Sequence, residues 1–253
     1  MSSSVLRGAR LGGLSILLLL ASSRLASAET DALPPGTWLE ARLTQDFPFV
    51  GGSGVCTRQG QLEEGFACFR ASGSQYHGTP IVGQKDEVNG GFVLGTTRAE
   101  LGIDYALWEQ VLAGARFGYV LRGGGPPQDG GKKFLPFSAE LHLSYWFLGP
   151  AHRASGIQPY ASLKGGIAEI DGAFKVTVVE DQNAPPPPNQ PDNPPVQELD
   201  GYKKLGSGFA GIGVGAYLPA GREHGPSLEL SYLALFPTSG NALTLSLGYA
   251  YGI

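Results

Sequence analysis

The sequence predicts an all-β fold, an antiparallel eight-stranded up-and-down transmembrane β-barrel. Three observations predict it: apolar residues alternate along most of the chain, the charges of those runs fall on one parity, and Gly/Pro-rich connections cut the runs into eight. In Val93–Tyr105 one face reads Val93, Gly95, Thr97, Ala99, Leu101, Ile103, Tyr105, and the other reads Thr96, Arg98, Glu100, Gly102, Asp104. In Phe137–Phe147 one face is Phe137, Ala139, Leu141, Leu143, Tyr145, Phe147, and the other is Ser138, Glu140, His142, Ser144, Trp146. A period of two is the signature of a strand. One greasy and one polar face place each strand between two environments.

Residues 1–28 read as a cleaved secretory signal peptide. Arg7 and Arg10 form the positive end, Leu11–Ala21 is the apolar stretch, and Ala26-Ser27-Ala28 precedes Glu29 as an A-x-A site. The apolar run is shorter than the roughly 20 residues a helical span needs. No later stretch reaches that length, so membrane insertion must be by strands. No Cys stands at the cleavage point, which argues against a lipoprotein. Residues 29–253 then form one β domain. Removing Arg7, Arg10 and Arg24 from the 18 basic residues leaves 15 against 22 acidic ones, a net of −7. That balance argues against nucleic acid as a partner. Cys56 and Cys68, close together in an exported chain, are expected to form a disulfide. Such a short loop is worth on the order of 3 kcal/mol on the chain-entropy model. Two cysteines without a neighbouring His pair make no zinc site, and no cofactor is implied.

Alternation read against punctuation places strands at about 36–45, 91–106, 110–122, 135–147, 158–170, 206–218, 226–236 and 242–252. The first, third and fifth connections are the longer ones, with long loops at about 46–90 and 171–205. Long loops on one side and short turns on the other are expected of an outer-membrane barrel, with both termini on the turn side. The seventh connection, Pro237–Asn241, is short and departs from the pattern. Ala184–Pro195 holds seven prolines in twelve residues and favours an extended, solvated loop tip. Lys175–Val179 extends the fifth strand beyond the membrane. No helix is predicted.

Parity assigns the apolar faces to lipid. The opposite faces carry Glu40, Arg42, Arg98, Glu100, Asp104, Arg116, Arg122, Glu140, Lys164 and Glu229, five positive and five negative, with His142 on the same side. An eight-stranded barrel is filled by its own side chains, and buried charges must be paired. The interior is therefore expected to be a polar plug with little conductance. Glycines such as Gly114, Gly118, Gly211, Gly213 and Gly215 suit a crowded lumen. Trp38, Tyr105, Trp108, Trp146, Phe147, Tyr217 and Phe236, near strand ends, are expected to form an interfacial girdle.

The chain resembles the OmpA/OmpX-like eight-stranded outer-membrane barrels over residues 36–253. The sharpest local feature is the end, where Leu243, Leu245, Leu247, Tyr249, Tyr251 and Ile253 alternate. The resemblance implies that the barrel-insertion machinery recognises this strand, although Ile253 replaces the usual terminal Phe. It also implies residence in the outer membrane of a Gram-negative bacterium, with outer-membrane lipid around the barrel. The role is then structural or one of surface interaction, with an extracellular or envelope partner bound at the loops, and with no enzymatic activity.

Two rival readings stay open at this level. Glu140-Leu-His142-Leu-Ser144 contains an H-x-S pair with a carboxylate, similar to outer-membrane lipid A deacylases. Parity points His142 and Ser144 into the lumen, away from any acyl chain. The second rival is a soluble secreted or periplasmic β-barrel binding an apolar ligand, in which the greasy faces form a core. His77, His152 and His224 fall in loops or turns and are expected to be solvated rather than to act as ligands. Gly211-Ile-Gly213-Val-Gly215 lies on a strand rather than a phosphate loop.

Overall fold

The structure is a computed structural model that describes residues 36–129, 133–152, 156–185, 194–221 and 223–253. The signal-peptide reading of 1–28 and most of the Ala184–Pro195 segment lie outside these residues. Each of the eight alternating runs forms a long strand, because β-branched, aromatic and leucine side chains on one face and small or charged ones on the other fit a pleated surface. The barrel strands are β1 (Thr37–Ser53), β5 (Thr97–Trp108), β6 (Val111–Arg122), β7 (Phe137–Trp146), β8 (Gln158–Ile167), β11 (Gly208–Tyr217), β12 (His224–Phe236) and β13 (Gly240–Gly252). They pair antiparallel in the order β13-β12-β11-β8-β7-β6-β5-β1. The circle closes where β1 pairs β13, from Trp38↔Gly252 to Pro48↔Ala242. No sheet edge is left along the barrel, which is what a bilayer demands of strands.

Parity holds around the whole wall. Leu43 on β1, Leu101 on β5, Phe117 on β6, Leu141 on β7, Leu163 on β8, Ile212 on β11, Leu230 on β12 and Leu247 on β13 are all exposed on the outside. Even-numbered residues of β1 turn inward, so Trp38, Glu40, Arg42, Thr44 and Asp46 are all buried.

The loops are more ordered than the sequence reading allowed. β1 runs eight residues past the expected end at Gln45 and leaves the barrel to pair with β4 (Glu87–Phe92). A helix, α1 (Arg58–Glu63), corrects the expectation of none; Thr57 caps it, with Gly60 N–H donating to Thr57 Oγ1 at 3.1 Å. The loops also contain β2 (Phe66–Phe69), β3 (Pro80–Lys85), β9 (Glu169–Glu180) and β10 (Val196–Gly206), which form a second sheet in the order β2-β10-β9-β3. β9 follows β8 after a break at Ala168, and its outer half contains Lys175–Val179. Together these elements make a cap at the long-loop end. The opposite end holds the β5–β6, β7–β8 and β11–β12 turns and the start of β1.

Candidate functional site

The barrel interior is layered. At the turn end sits an aromatic plug. Trp38, Trp146, Tyr160 and Tyr217 are each at most 4 % exposed. They surround His152, which is buried rather than solvated as expected, because the β7–β8 turn carries it inward. Its ring stacks on Trp38 at 3.9 Å and meets Tyr217 edge-on at 4.6 Å. This corrects part of the expected girdle. Trp38, Trp146 and Tyr217 are lumenal, while Tyr105, Trp108, Phe147 and Phe236 are exposed on the outside. The physical reason is parity, since Trp38 shares a face with Glu40, and Trp146 shares one with His142.

Above the plug lies an ionic layer. Glu40 bridges two arginines, Arg42 Nε at 2.6 Å and Arg116 Nε at 3.0 Å. Arg42 also donates to Glu229 at 3.1 Å. Lys164 donates to the other Glu229 oxygen, and Tyr160 and Ser231 donate to Glu229 at 3.0 and 2.9 Å. Arg116 contacts Glu140 at 2.5 Å and lies 3.2 Å from His142 Nε2. That same ring nitrogen sits 2.7 Å from Asp104. Higher up, Arg98 donates to Asp46 at 2.9 Å and faces Glu100 at 3.6 Å, while Thr44 donates to Glu100 at 2.8 Å. Glycine makes room for these groups. A Cβ on Gly114 would lie 1.9 Å from Asp104 Oδ1 and 2.5 Å from the His142 ring. A third layer, toward the cap, is apolar: Ile170, Leu205, Phe209, Leu233, Leu235 and Ala242 pack together.

Two differences from the sequence reading change the charge balance. Arg122 is exposed, not lumenal. A register shift between Thr97 and Arg98 pairs Thr97 with Arg122 but Arg98 with Val120, so Leu121 is the extra residue of a bulge and parity flips there. Asp46 belongs inside and lies beyond the expected end of the first strand. Among the described residues the lumen therefore holds Arg42, Arg98, Arg116 and Lys164 against Glu40, Asp46, Glu100, Asp104, Glu140 and Glu229. Four positive and six negative side chains replace the expected five and five, with His142 held among the acids. The lumenal hydroxyls of Thr44, Ser227, Ser231 and Thr244, which solvate this excess, carry no charge signal in the sequence.

The cap has its own core. Cys56 and Cys68 are bonded, tying the entry of α1 to β2. Around them Val50, Val55, Phe66, Tyr76, Val176, Val178 and Leu199 are buried. Two acidic side chains brace this core. Glu180 accepts from the Tyr76 hydroxyl and from the Thr79 N–H. Burial and that carboxylate hold the Tyr76 hydroxyl protonated well above the usual tyrosine range. Asp86 accepts from the Cys56 N–H at 2.8 Å, and burial raises its carboxyl to about 6. Lys85 and Asp86 carry φ of 54° and 51°, a left-handed pair that turns the chain from β3 into β4. On the outer surface of the cap, Val82, Leu62 and Val196 are exposed.

No known protein-family model matches the chain. No curated protein matches it in sequence. Among solved structures, it is similar to Neisserial surface protein A at a TM-score of 0.44 and 10 % identity, covering 86 % of this chain and 97 % of that one. It is also similar to the N-terminal β-barrel domain of OprF from Pseudomonas aeruginosa (TM-score 0.37, 11 % identity, 87 % and 100 % covered). A third is the outer membrane protein OprG from Pseudomonas aeruginosa (0.34, 8 %, 87 % and 98 %). Identity and superposition are both too low to carry any residue role across.

Proposed function

We propose that this chain is an outer-membrane β-barrel protein of a Gram-negative-type bacterial envelope, with a lumen closed by its own side chains and a disulfide-pinned cap that presents the contact surface. The observation that carries the reading is the inverted barrel. Every barrel strand turns a run of apolar residues to the outer wall, and Glu40, Arg42, Asp46, Arg98, Asp104, Arg116, Lys164 and Glu229 are buried inside, around a ring with no free edge. In water such a wall would far exceed the few hundred Å² of apolar patch a soluble monomer tolerates. A soluble barrel enclosing an apolar ligand needs the opposite parity. The plugged lumen is supported by three successive filled layers, aromatic, ionic and apolar. Contact through the cap is supported by its disulfide and packed core, since loops fixed on a scaffold are where recognition concentrates.

The lipid A-modifying reading loses its support at the H-x-S pair. Ser144 Oγ accepts from Trp146 Nε1 at 3.1 Å, and His142 is committed to Asp104 and Arg116. Both residues are buried in the lumen, where no acyl chain reaches.

The test combines fractionation with electrophysiology. The chain should stay with the outer membrane through salt and alkaline washes and leave only with detergent. Reconstituted in planar bilayers, it should give no stable conductance. Release without detergent would overturn the membrane reading, and a steady open channel would overturn the plugged lumen.

A further inference from the structure

We propose that the cleft where the barrel meets the cap binds a phosphate monoester, with Arg122 as its charged contact. The cleft measures about 310 Å³. That sits at the small end of ligand pockets, room for a headgroup rather than a whole lipid.

The lumenal cations Arg42, Arg98, Arg116 and Lys164 each lie on a carboxylate. Arg122 ends β6 opposite Thr97 on the outer face, lines the cleft, and forms no ion pair among the described residues. Its fork is therefore free for an external anion. A guanidinium matches phosphate oxygens two at a time.

Arg122 is followed by Gly123, Gly124 and Gly125. Asp171, buried, accepts from Gly125 N–H at 3.1 Å and from Thr96 Oγ1 at 2.8 Å, so both its oxygens are engaged and the loop is fixed. A Cβ on Gly125 would lie 2.5 Å from the Tyr202 ring. Gly123 and Gly124 carry φ of 135° and 70°. Neither amide donates to a backbone carbonyl among the described residues. Consecutive free amides in such a turn form a concavity suited to anions. A carboxylate would use both oxygens on the arginine fork alone. A phosphate monoester has a third for the amides.

The cleft sits just above Tyr119 and Leu121, both exposed on the outer wall, with Leu94 at its edge. That is the level of lipid headgroups if the chain spans the membrane as proposed above. The lipid-borne source of the phosphate rests on that reading, whereas the phosphate contact itself does not.

The experiment uses the mature chain in neutral detergent micelles, titrated with a short-chain phosphatidic acid, the matching diacylglycerol and inorganic phosphate, with binding read by native mass spectrometry. Saturable uptake of one phosphatidic acid is expected, with no uptake of diacylglycerol. Arg122→Gln should weaken it about tenfold or more, the loss of one charged hydrogen-bonded contact. Ala173→Trp, which fills the cleft and leaves the charge, should weaken it as well. Competition by inorganic phosphate would identify a soluble source, and its failure to compete a lipid-borne one. Unchanged binding in Arg122→Gln would overturn the proposal. So would unchanged binding in Ala173→Trp, which would reduce the effect to surface charge, or no saturable binding at all. Each variant is checked for a boiling-dependent shift in gel mobility. A wild-type chain without that shift would fail the barrel reading instead.

Discussion

The barrel and the cap solve the same problem in opposite directions. The barrel hides charges and shows leucines, while the cap hides valines, phenylalanines and a disulfide and shows charges such as Lys175, Glu198 and Asp200. The strand geometry is shared, and only the surroundings differ. The inside of the barrel is held by groups that need partners, so it is specific and unforgiving. The inside of the cap is held by apolar area and a covalent link, so it is locally robust but separable from the barrel. Each region should therefore fail alone.

The largest effect is expected from breaking the lumen. Glu229→Ala removes the partner of Arg42 and Lys164 and the acceptor of Tyr160. Leaving buried Arg42 on Glu40 alone and buried Lys164 with only Glu140 at 3.7 Å should cost about 3–5 kcal/mol, read as a lower temperature at which the unboiled, fast-migrating form is lost. Protease resistance of the cap should be unchanged below that temperature. Equal loss in both regions would collapse the comparison.

Next is the disulfide. Paired Cys56→Ser and Cys68→Ser should loosen the cap by about 3 kcal/mol, read as faster proteolysis within residues 54–90. The boiling temperature of the barrel should not move.

A smaller effect is expected from pH. The Asp86 carboxyl rises from 3.8 to about 6, chiefly through burial. An acid raised on folding contributes stability that is full below its unfolded value and lost as pH climbs through its folded one. Amides near Cys56 should therefore exchange faster as pH rises from 4 to 7, after correction for intrinsic rates. Asp86→Asn should flatten that slope. A slope that persists in the variant would assign the effect to another group. Smallest of all, Lys85→Gly should stabilise the cap by up to about 1 kcal/mol by relieving a left-handed φ.

Much of the barrel was legible from period-two alternation, because a wall between two solvents writes its parity into every residue. The C-terminal run from Leu243 to Ile253 and the charged face of β5 needed nothing else. Arg122 was misplaced because a bulge at Leu121 is a property of pairing with Thr97, which the sequence of β6 alone does not encode. Trp38 and Trp146 were misplaced for a different reason. Their parity already put them with Glu40 and His142, and their closeness to strand ends outweighed that signal. Much of the cap was not legible because β2, β3 and β4 are only four to six residues long and are fixed by distant partners, β2 by β10, β3 by β9 and β4 by β1. Glu180 and Asp86 have no local pattern. They become structural only when Tyr76 and Cys56 are folded onto them.

The most direct test of the inverted barrel is gel mobility of the membrane-extracted chain, boiled and unboiled, in detergent. A faster-migrating unboiled form that converts on heating, found only in the detergent-extracted membrane fraction, is the expected result. A single mobility regardless of heating, with the chain in the soluble fraction, would contradict the closed, lipid-facing barrel.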